Sequence, residues 1–479
     1  MPHIAQTKIV ATLGPACADK KILSRMIDAG MNVARINFSH GTHESNGKLI
    51  ATVRALAKKQ KKTVMILQDI QGPKMRLGVL PEAGIVLKPN QSVVFSTDLV
   101  SAAKKGHIPL DVPKLETFLK KGERILIADG TIEVVVTKII KKEIEAKVVV
   151  GGTVFSHKGL NFPDSIIPLR PLTQKDKDDL QFGASINVDF VAISFVQKPE
   201  DVVEVRELLQ KYHKAVGGTT TVPHIIAKIE RREAVDCAEK ILAVADGIMV
   251  ARGDLGLEIP AEEVPVIQKT LIHQAITQHK SVIVATQMLD SMQHSPRPTR
   301  AEVSDVANAV IDHTDAVMLS NETASGSYPV ESVEMMYRII VETEKSLFDD
   351  GVLSTSQRIS VPTDEALGVI AAHISGMIDI GAIVVLSDDD TLSRTISRQR
   401  PEVVVYRIVS QQAHIRHAAL CWGVIPLVVA KKQPKIMVHY ALTYLVKQHL
   451  VQKRQSIVVV LSHVTMSGQQ VHTVEIIRT

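Results

Sequence analysis

Cysteine is scarce in this 479-residue chain, which contains only Cys17, Cys237 and Cys421. Thiols so few and so far apart cannot build a disulfide framework, and no Cys-x-x-Cys pair offers a zinc site. A reducing cytoplasm is the expected compartment. Aromatic residues make up 3% of the chain, and the charge of +5 is what remains of 56 basic and 51 acidic residues mixed along it. No clustered cationic face with interleaved aromatics is legible, so nucleic acid is not an expected partner. No apolar run reaches the roughly 18 residues that a membrane span needs. Met1 to Val10 also lacks the basic cluster and apolar core of a secretory leader, so neither secretion nor membrane insertion is expected.

What is present is a strand and helix rhythm. Hydrophobic residues make up 45% and charged residues 22% of the chain, an ordinary globular balance at a length that predicts more than one domain. Short apolar, β-branched runs recur at Ile9–Leu13, Val33–Phe38, Val64–Leu67, Phe190–Phe195, Ile225–Ile229, Ile248–Ala251, Val282–Ala285 and Ala316–Leu319, and read as buried parallel strands. Between them, Lys20–Ala29, Thr42–Lys59, Glu200–Lys211, Glu262–Gln278 and Arg300–His313 have helical periodicity, several behind an Asp, Thr or Pro start signal. Such alternation predicts a (β/α)8 TIM barrel. From Gly72 to Lys158 the pattern changes to short alternating strands, among them Glu123–Ala128, Thr131–Ile140 and Glu145–Val150. A polar stretch from Asp349 to Ser360 precedes a third series, with strands expected at Ala382–Leu386, Val403–Ile408, Leu427–Val429 and Ile457–Leu461. The expected fold is therefore α/β: a barrel over 1–71 and 159–346, an inserted small β-barrel lid over 72–158 and a C-terminal α/β domain over 347–479.

Barrels of this kind carry their chemistry at the C-terminal ends of the strands. Arg35, Asn37, Ser39 and His40 follow or end the second run; Asp69, Lys74 and Arg76 follow the third. Lys228 and Glu230 belong to the fifth, Arg252, Gly253 and Asp254 to the sixth, Thr286 to the seventh, Ser320 and Glu322 to the eighth. Carboxylates, cations and hydroxyls on one rim suit a hard cation and an anionic substrate. Singly, each has a plainer reading. Lys228 and Glu230 could be a structural ion pair, Arg35 could hold a loop, Gly253 and Gly256 could mark a tight turn, and Thr286 could bond its own backbone. Their shared place on the rim favours function.

At these residues a resemblance becomes explicit. Ala34-Arg35-Ile36-Asn37-Phe38-Ser39-His40-Gly41, Ala227-Lys228-Ile229-Glu230, Met249 to Glu258, Ala285 to Met292 and Pro296 to Glu302 resemble pyruvate kinase signatures, as does Thr7 to Pro15. The resemblance covers nearly the whole chain and weakens after about Ser387. It implies transfer of the phosphoryl group of phosphoenolpyruvate to ADP, giving pyruvate and ATP, with Mg2+ (Mn2+ as a substitute) held by Glu230 and Asp254. It further implies Lys228 as the stabiliser of the group in transit, Arg35 on the substrate phosphoryl group, Gly253 at the substrate carboxylate and Thr286 where the enolate gains its proton, through water. Asn37, His40, Arg76 and Lys158 would attend the nucleotide phosphates, the lid would close over them, and a homotetramer is expected.

Two departures from the family pattern set further expectations. Family members that need potassium have Glu where Lys74 stands, so the candidate potassium ligands Asn37, Ser39, Asp69 and the Ile70 carbonyl would face an ammonium and K+ would be dispensable. Members activated by a sugar bisphosphate have a hydroxyl-rich loop where this chain has Ser387-Asp388-Asp389-Asp390-Thr391-Leu392, and a later Gly-rich loop where it has Met466-Ser467-Gly468-Gln469-Gln470. No activation by fructose 1,6-bisphosphate is expected. Two rival readings are a carbon–carbon lyase of the related barrels and a silent binding protein. Arg76, Lys158 and the insert speak against the first, and the retained Lys228, Glu230 and Asp254 against the second.

Overall fold

The structure, a computed structural model, describes residues 4–168, 172–217, 222–346, 348, 362–387, 390–429, 434–464 and 470–479. Eight parallel strands close the barrel: β1 (Lys8–Leu13), β2 (Met31–Asn37), β3 (Met65–Ile70), β4 (Phe190–Ile193), β5 (His224–Ile229), β6 (Gly247–Ala251), β7 (Ser281–Ala285) and β8 (Ala316–Leu319). Each predicted run overlaps one of these strands, with ends displaced by up to three residues. β1, β3, β4, β6, β7 and β8 are buried along their whole length, because helices cover the outside and side chains fill the inside. Sequence caps open the helices as expected: Asp19 accepts two backbone N–H groups before Lys20–Ala29, and Thr42 and Thr299 form capping boxes before His43–Gln60 and Arg300–Ile311.

The segment after β3 folds as a curled six-stranded sheet, with a two-stranded ribbon of Ile85–Leu87 and Gly152–Val154 beside it. It includes a helix, Leu99–Lys105, that the sequence pattern did not suggest. Its own apolar core contains Phe95, Leu115, Ile125, Val134 and Ile144. The chain enters and leaves it side by side, since Leu77 N donates to Lys158 O and Leu160 N to Met75 O.

The C-terminal domain is a five-stranded sheet of β9 (Ile380–Leu386), β10 (Val405–Val409), β11 (Val424–Val428), β12 (Ser456–Val464) and β13 (Gln470–Arg478), in the order β11-β10-β9-β12-β13. The first four are parallel, and β13 returns antiparallel to β12. Four strands were expected, and β13 was not. Asp349 to Ser360, Asp388, Asp389 and Met466 to Gln469 lie outside the described residues. No helix among the described residues is long and apolar enough to cross a membrane.

Candidate active site

Register places the rim residues. Asn37 of β2 stands opposite Asp69 of β3, and Lys228 of β5 opposite Met249 of β6, two residues before Ala251 and the short helix α1 (Arg252–Glu258). β2, β3, β4, β5 and β6 are successive neighbours in the barrel, so their ends form one arc.

Lys228 sits at its centre. Its Nζ lies 2.7 Å from Glu230 Oε1 and 3.4 Å from Asp69 Oδ1, and it donates to Ser194 Oγ at 2.8 Å. The other carboxylate oxygen of Asp69 takes Arg35 Nε at 2.7 Å, while Arg35 Nη1 donates to Thr12 Oγ1 at 2.8 Å. Glu230 Oε2 accepts Phe195 N at 2.7 Å. Phe195 achieves this from the left-handed region, at φ 56°, which is unusual for a bulky residue.

These groups set one another's protonation. Burial alone would lower the Lys228 pKa, but the charges of Asp69 and Glu230 outweigh it and hold the ammonium above its ordinary value. Burial likewise opposes the Asp69 charge, and Lys228 and Arg35 overcome it, so Asp69 is held below the ordinary carboxylate value. Glu230 goes the other way: burial, helped by the charge of Asp254, pushes its carboxyl up despite Lys228. At this centre Arg35 and Lys228 face Asp69, Glu230 and Asp254, one carboxylate more than there are cations.

Among the described residues no cluster of three or more His, Cys, Asp and Glu side chains forms a self-sufficient metal cage. Magnesium commonly takes one or two protein carboxylates and completes its shell with water and substrate oxygens. Glu230 and half-buried Asp254 are the carboxylates suited to this.

Thr286 and Gly253 are brought together. Gly253 N donates to Thr286 Oγ1 at 2.7 Å, and Thr286 Oγ1 donates to its neighbour's carbonyl, Ala285 O, at 2.6 Å. Thr286 and Gln287 both have positive φ, 71° and 56°. A β-branched residue there costs on the order of 1–3 kcal/mol and is a feature that clusters at functional sites. The plainer reading of Thr286 thus holds in part, since its hydroxyl bonds local backbone, but the same hydroxyl ties β7 to α1.

Other rim residues serve the frame. Arg252 reaches Asp305 at 2.7 Å and donates to Thr286 O at 2.8 Å. Glu322 accepts Ser320 N and Leu289 N, pinning the ends of β8 and β7 together. Asn37 Oδ1 accepts Ser39 N at 3.1 Å, and the Ile70 carbonyl accepts Ser194 Oγ at 2.8 Å. Among the described residues no hydrogen bond or ion pair ties the outer cations to the central cluster. Arg76 donates to His157 O at 3.0 Å, His40 and Lys158 are exposed, and Lys74 runs along the junction with the inserted sheet, where a Cβ on Gly159 would stand 3.0 Å from Lys74 Cε.

Ser194, Phe195 and Thr12 were not picked out from the sequence. Ser194 and Phe195 directly follow β4, so the placement of functional groups at strand C-terminal ends is the signal that finds them. Thr12 carries no signal of its own.

The barrel and C-terminal domain match known proteins. The family model "Pyruvate kinase, barrel domain" matches residues 4–333, and "Pyruvate kinase, alpha/beta domain" matches 365–477. A pyruvate kinase of Geobacillus stearothermophilus is 44% identical over 423 residues, which are 88% of this chain and 71% of that protein. One of Staphylococcus aureus is 41% identical over 426 residues, 88% of this chain and 72% of the other. The crystal structure of a pyruvate kinase from Cryptosporidium parvum superposes with a TM-score of 0.91 at 33% identity, covering 99% of this chain and 96% of that one.

Proposed function

The chain belongs to the pyruvate kinase family and is a phosphotransferase, and we propose that it moves the phosphoryl group of phosphoenolpyruvate to ADP at the rim of β2 to β7. The observation that carries this is Lys228, an ammonium held charged between Asp69 and Glu230 beside the Arg35 guanidinium. Phosphoryl transfer asks a protein mainly for such fixed positive charge.

In this reading Arg35 grips the phosphoryl group and Lys228 follows its oxygens as the bond to the enolate oxygen breaks and the bond to the ADP β-phosphate oxygen forms. The enolate then takes a proton at its methylene carbon, giving pyruvate, on the side where Thr286 orders the approach, through water. Glu230 and Asp254 would hold Mg2+, or Mn2+, which when bound supplies positive charge against substrate oxygens. Gly253 leaves its backbone open to the substrate carboxylate. Asn37, His40, Arg76 and Lys158 attend the nucleotide, with the 72–158 segment as a lid that excludes water. The barrel spans 1–71 and 159–346, and 347–479 serves regulation and assembly into a homotetramer.

Two finer properties belong to the proposal. Lys74 makes potassium dispensable at Asn37, Ser39, Asp69 and Ile70, and the acidic 387–392 loop leaves the enzyme without activation by fructose 1,6-bisphosphate. A cytoplasmic place belongs to the same reading, in keeping with the glycolytic chemistry and the few, scattered cysteines. An assay with phosphoenolpyruvate, ADP and magnesium, coupled to lactate dehydrogenase, tests the activity. Pyruvate formation dependent on all three is expected, and folded protein that forms none overturns the reading.

A further inference from the structure

Two segments of the six-stranded sheet meet the last turn of α1. Asn161, on the strand that leaves the lid, donates from Nδ2 to Glu258 Oε1 at 2.8 Å, and both residues are buried at 9% exposure. In the Asp129-Gly130 turn the backbone comes so near that a Cβ on Gly130 would stand 2.9 Å from Leu257 Cδ2. Gly130 has φ 76° besides, so the turn and the approach both call for glycine. Leu257 and Glu258 lie about one helical turn beyond Asp254 on a helix only seven residues long. A displacement of one end of so short a helix reaches the other.

The second oxygen of Glu258 faces the other carboxylate of the site indirectly. It lies 4.0 Å from Arg231 Nε, and Arg231 follows Glu230 in sequence. Arg231 is 2% exposed, pairs through Nη2 with Glu233 at 3.4 Å, and its Nε has no hydrogen-bond partner among the described residues. A buried guanidinium N–H without a partner, about 1 Å short of a charge-assisted bond to a buried carboxylate, is close to a second, better paired arrangement.

We propose that Asn161, Glu258 and Arg231 form a relay by which the seating of the lid sets the positions of Asp254, through α1, and of Glu230, through Arg231. The three are positioning residues. When the lid strand moves with Asn161, Glu258 moves with it, and the two carboxylates adjust together. The inference rests on the reading of Glu230 and Asp254 as the metal ligands.

Mn2+ is the probe, titrated by electron paramagnetic resonance into the full-length protein in the presence of ADP and oxalate. Asn161→Leu and Glu258→Gln should each weaken Mn2+ binding about tenfold, the usual scale for an outer partner of a metal ligand. Thermal midpoints should stay near that of the parent. The double variant should lose no more than the worse single variant, because both break one relay. Lys105→Ala, which breaks an exposed lid ion pair with Glu143, should bind Mn2+ as the parent does. If Asp254→Asn weakens Mn2+ while both relay variants bind it normally, the relay is wrong and the ligand reading stands. If Asp254→Asn itself binds normally, the ligand reading fails. Losses that multiply in the double variant would also overturn the relay.

Discussion

Single residues at the rim are defined by what opposes what. Burial and charge pull Lys228 in opposite directions, and charge wins because two carboxylates lie within 3.4 Å of its ammonium. Lys228→Met removes that charge and keeps most of the shape. It should fold and lose about 10²–10³ of turnover or more, as the loss of one preorganised electrostatic group typically does; near-parental turnover in the coupled assay would refute the role. The same variant leaves Asp69 and Glu230 without their shared ammonium, so part of the loss can be structural. Comparing the circular dichroism of the two proteins separates the parts. Lys74 offers a second case. Brought to about 4 Å from an ion held by Asn37, Ser39, Asp69 and the Ile70 carbonyl, its ammonium would repel that ion by roughly 4 kcal/mol at an effective dielectric near 20, enough to deter a loosely held ion. Turnover in potassium-free Tris buffer should therefore match that with potassium chloride at equal ionic strength, and Lys74→Glu should gain a potassium requirement. A rise of about tenfold with potassium in the parent would show that the hinge lysine does not replace the ion. Lys228, Glu230 and Asp69 were legible because their places relative to apolar runs fixed them on one rim. The bond between Gly253 and Thr286 was not, because it joins residues 33 positions apart through backbone geometry that no local pattern encodes.

At the scale of elements, what was readable was what is buried on both faces. A barrel strand lies between an interior and a coat of helices, so it shows as a continuous apolar run, and all eight could be found. β13 escaped because it is an edge strand of mixed character, Gln470-Val471-His472-Thr473-Val474-Glu475, with its later residues partly exposed. The lid helix Leu99–Lys105 is only seven residues long and too brief to establish a period. The loop after β9 carries a prediction at this scale. It leads into helix α2 (Thr391–Arg398), where Asp390 pairs with Arg394 at 3.1 Å and Leu392 is 2% exposed, turned into the core. A phosphate would meet carboxylate charge in this loop, and Leu392 gives it no hydroxyl. Fructose 1,6-bisphosphate should therefore leave the half-saturating phosphoenolpyruvate concentration unchanged, and a clear fall on adding it would reject the argument.

Across the whole molecule, the C-terminal domain closes the end of the barrel opposite the site. Val409, Ile415, Ala419 and Leu420 pack into the same cluster as the barrel's interior side chains Val10, Val33, Phe190, Met249 and Ile283. Around this plug run hydrogen bonds from Gly423 N to Gln6 O and from Trp422 N to Asp315 Oδ1. Lys8 of β1 joins them, donating from Nζ to Val424 O of β11 at 2.9 Å while only 4% exposed. Burial lowers its pKa from 10.5 to about 8, against the charges of Glu344 and Asp315, which act to raise it. The sign follows from proton counts. Below about pH 8 both the folded and the unfolded chain hold the Lys8 proton, and the folded state bears the whole cost of the buried charge. Between about pH 8 and 10.5 the unfolded chain keeps the proton while the folded one releases it, so this group's contribution to stability rises with pH. A shift of that size corresponds to on the order of 3 kcal/mol. Lys8→Met, which removes the charge and keeps the stem, should therefore be more resistant to urea than the parent at pH 7, and its advantage should shrink steadily toward pH 10. Urea midpoints of both proteins across that range decide the matter, because differencing the two curves cancels every other group that titrates. A constant difference from pH 7 to 10 would mean that Lys8 is not held below its ordinary value, and an advantage that grows with pH would reverse the argument altogether.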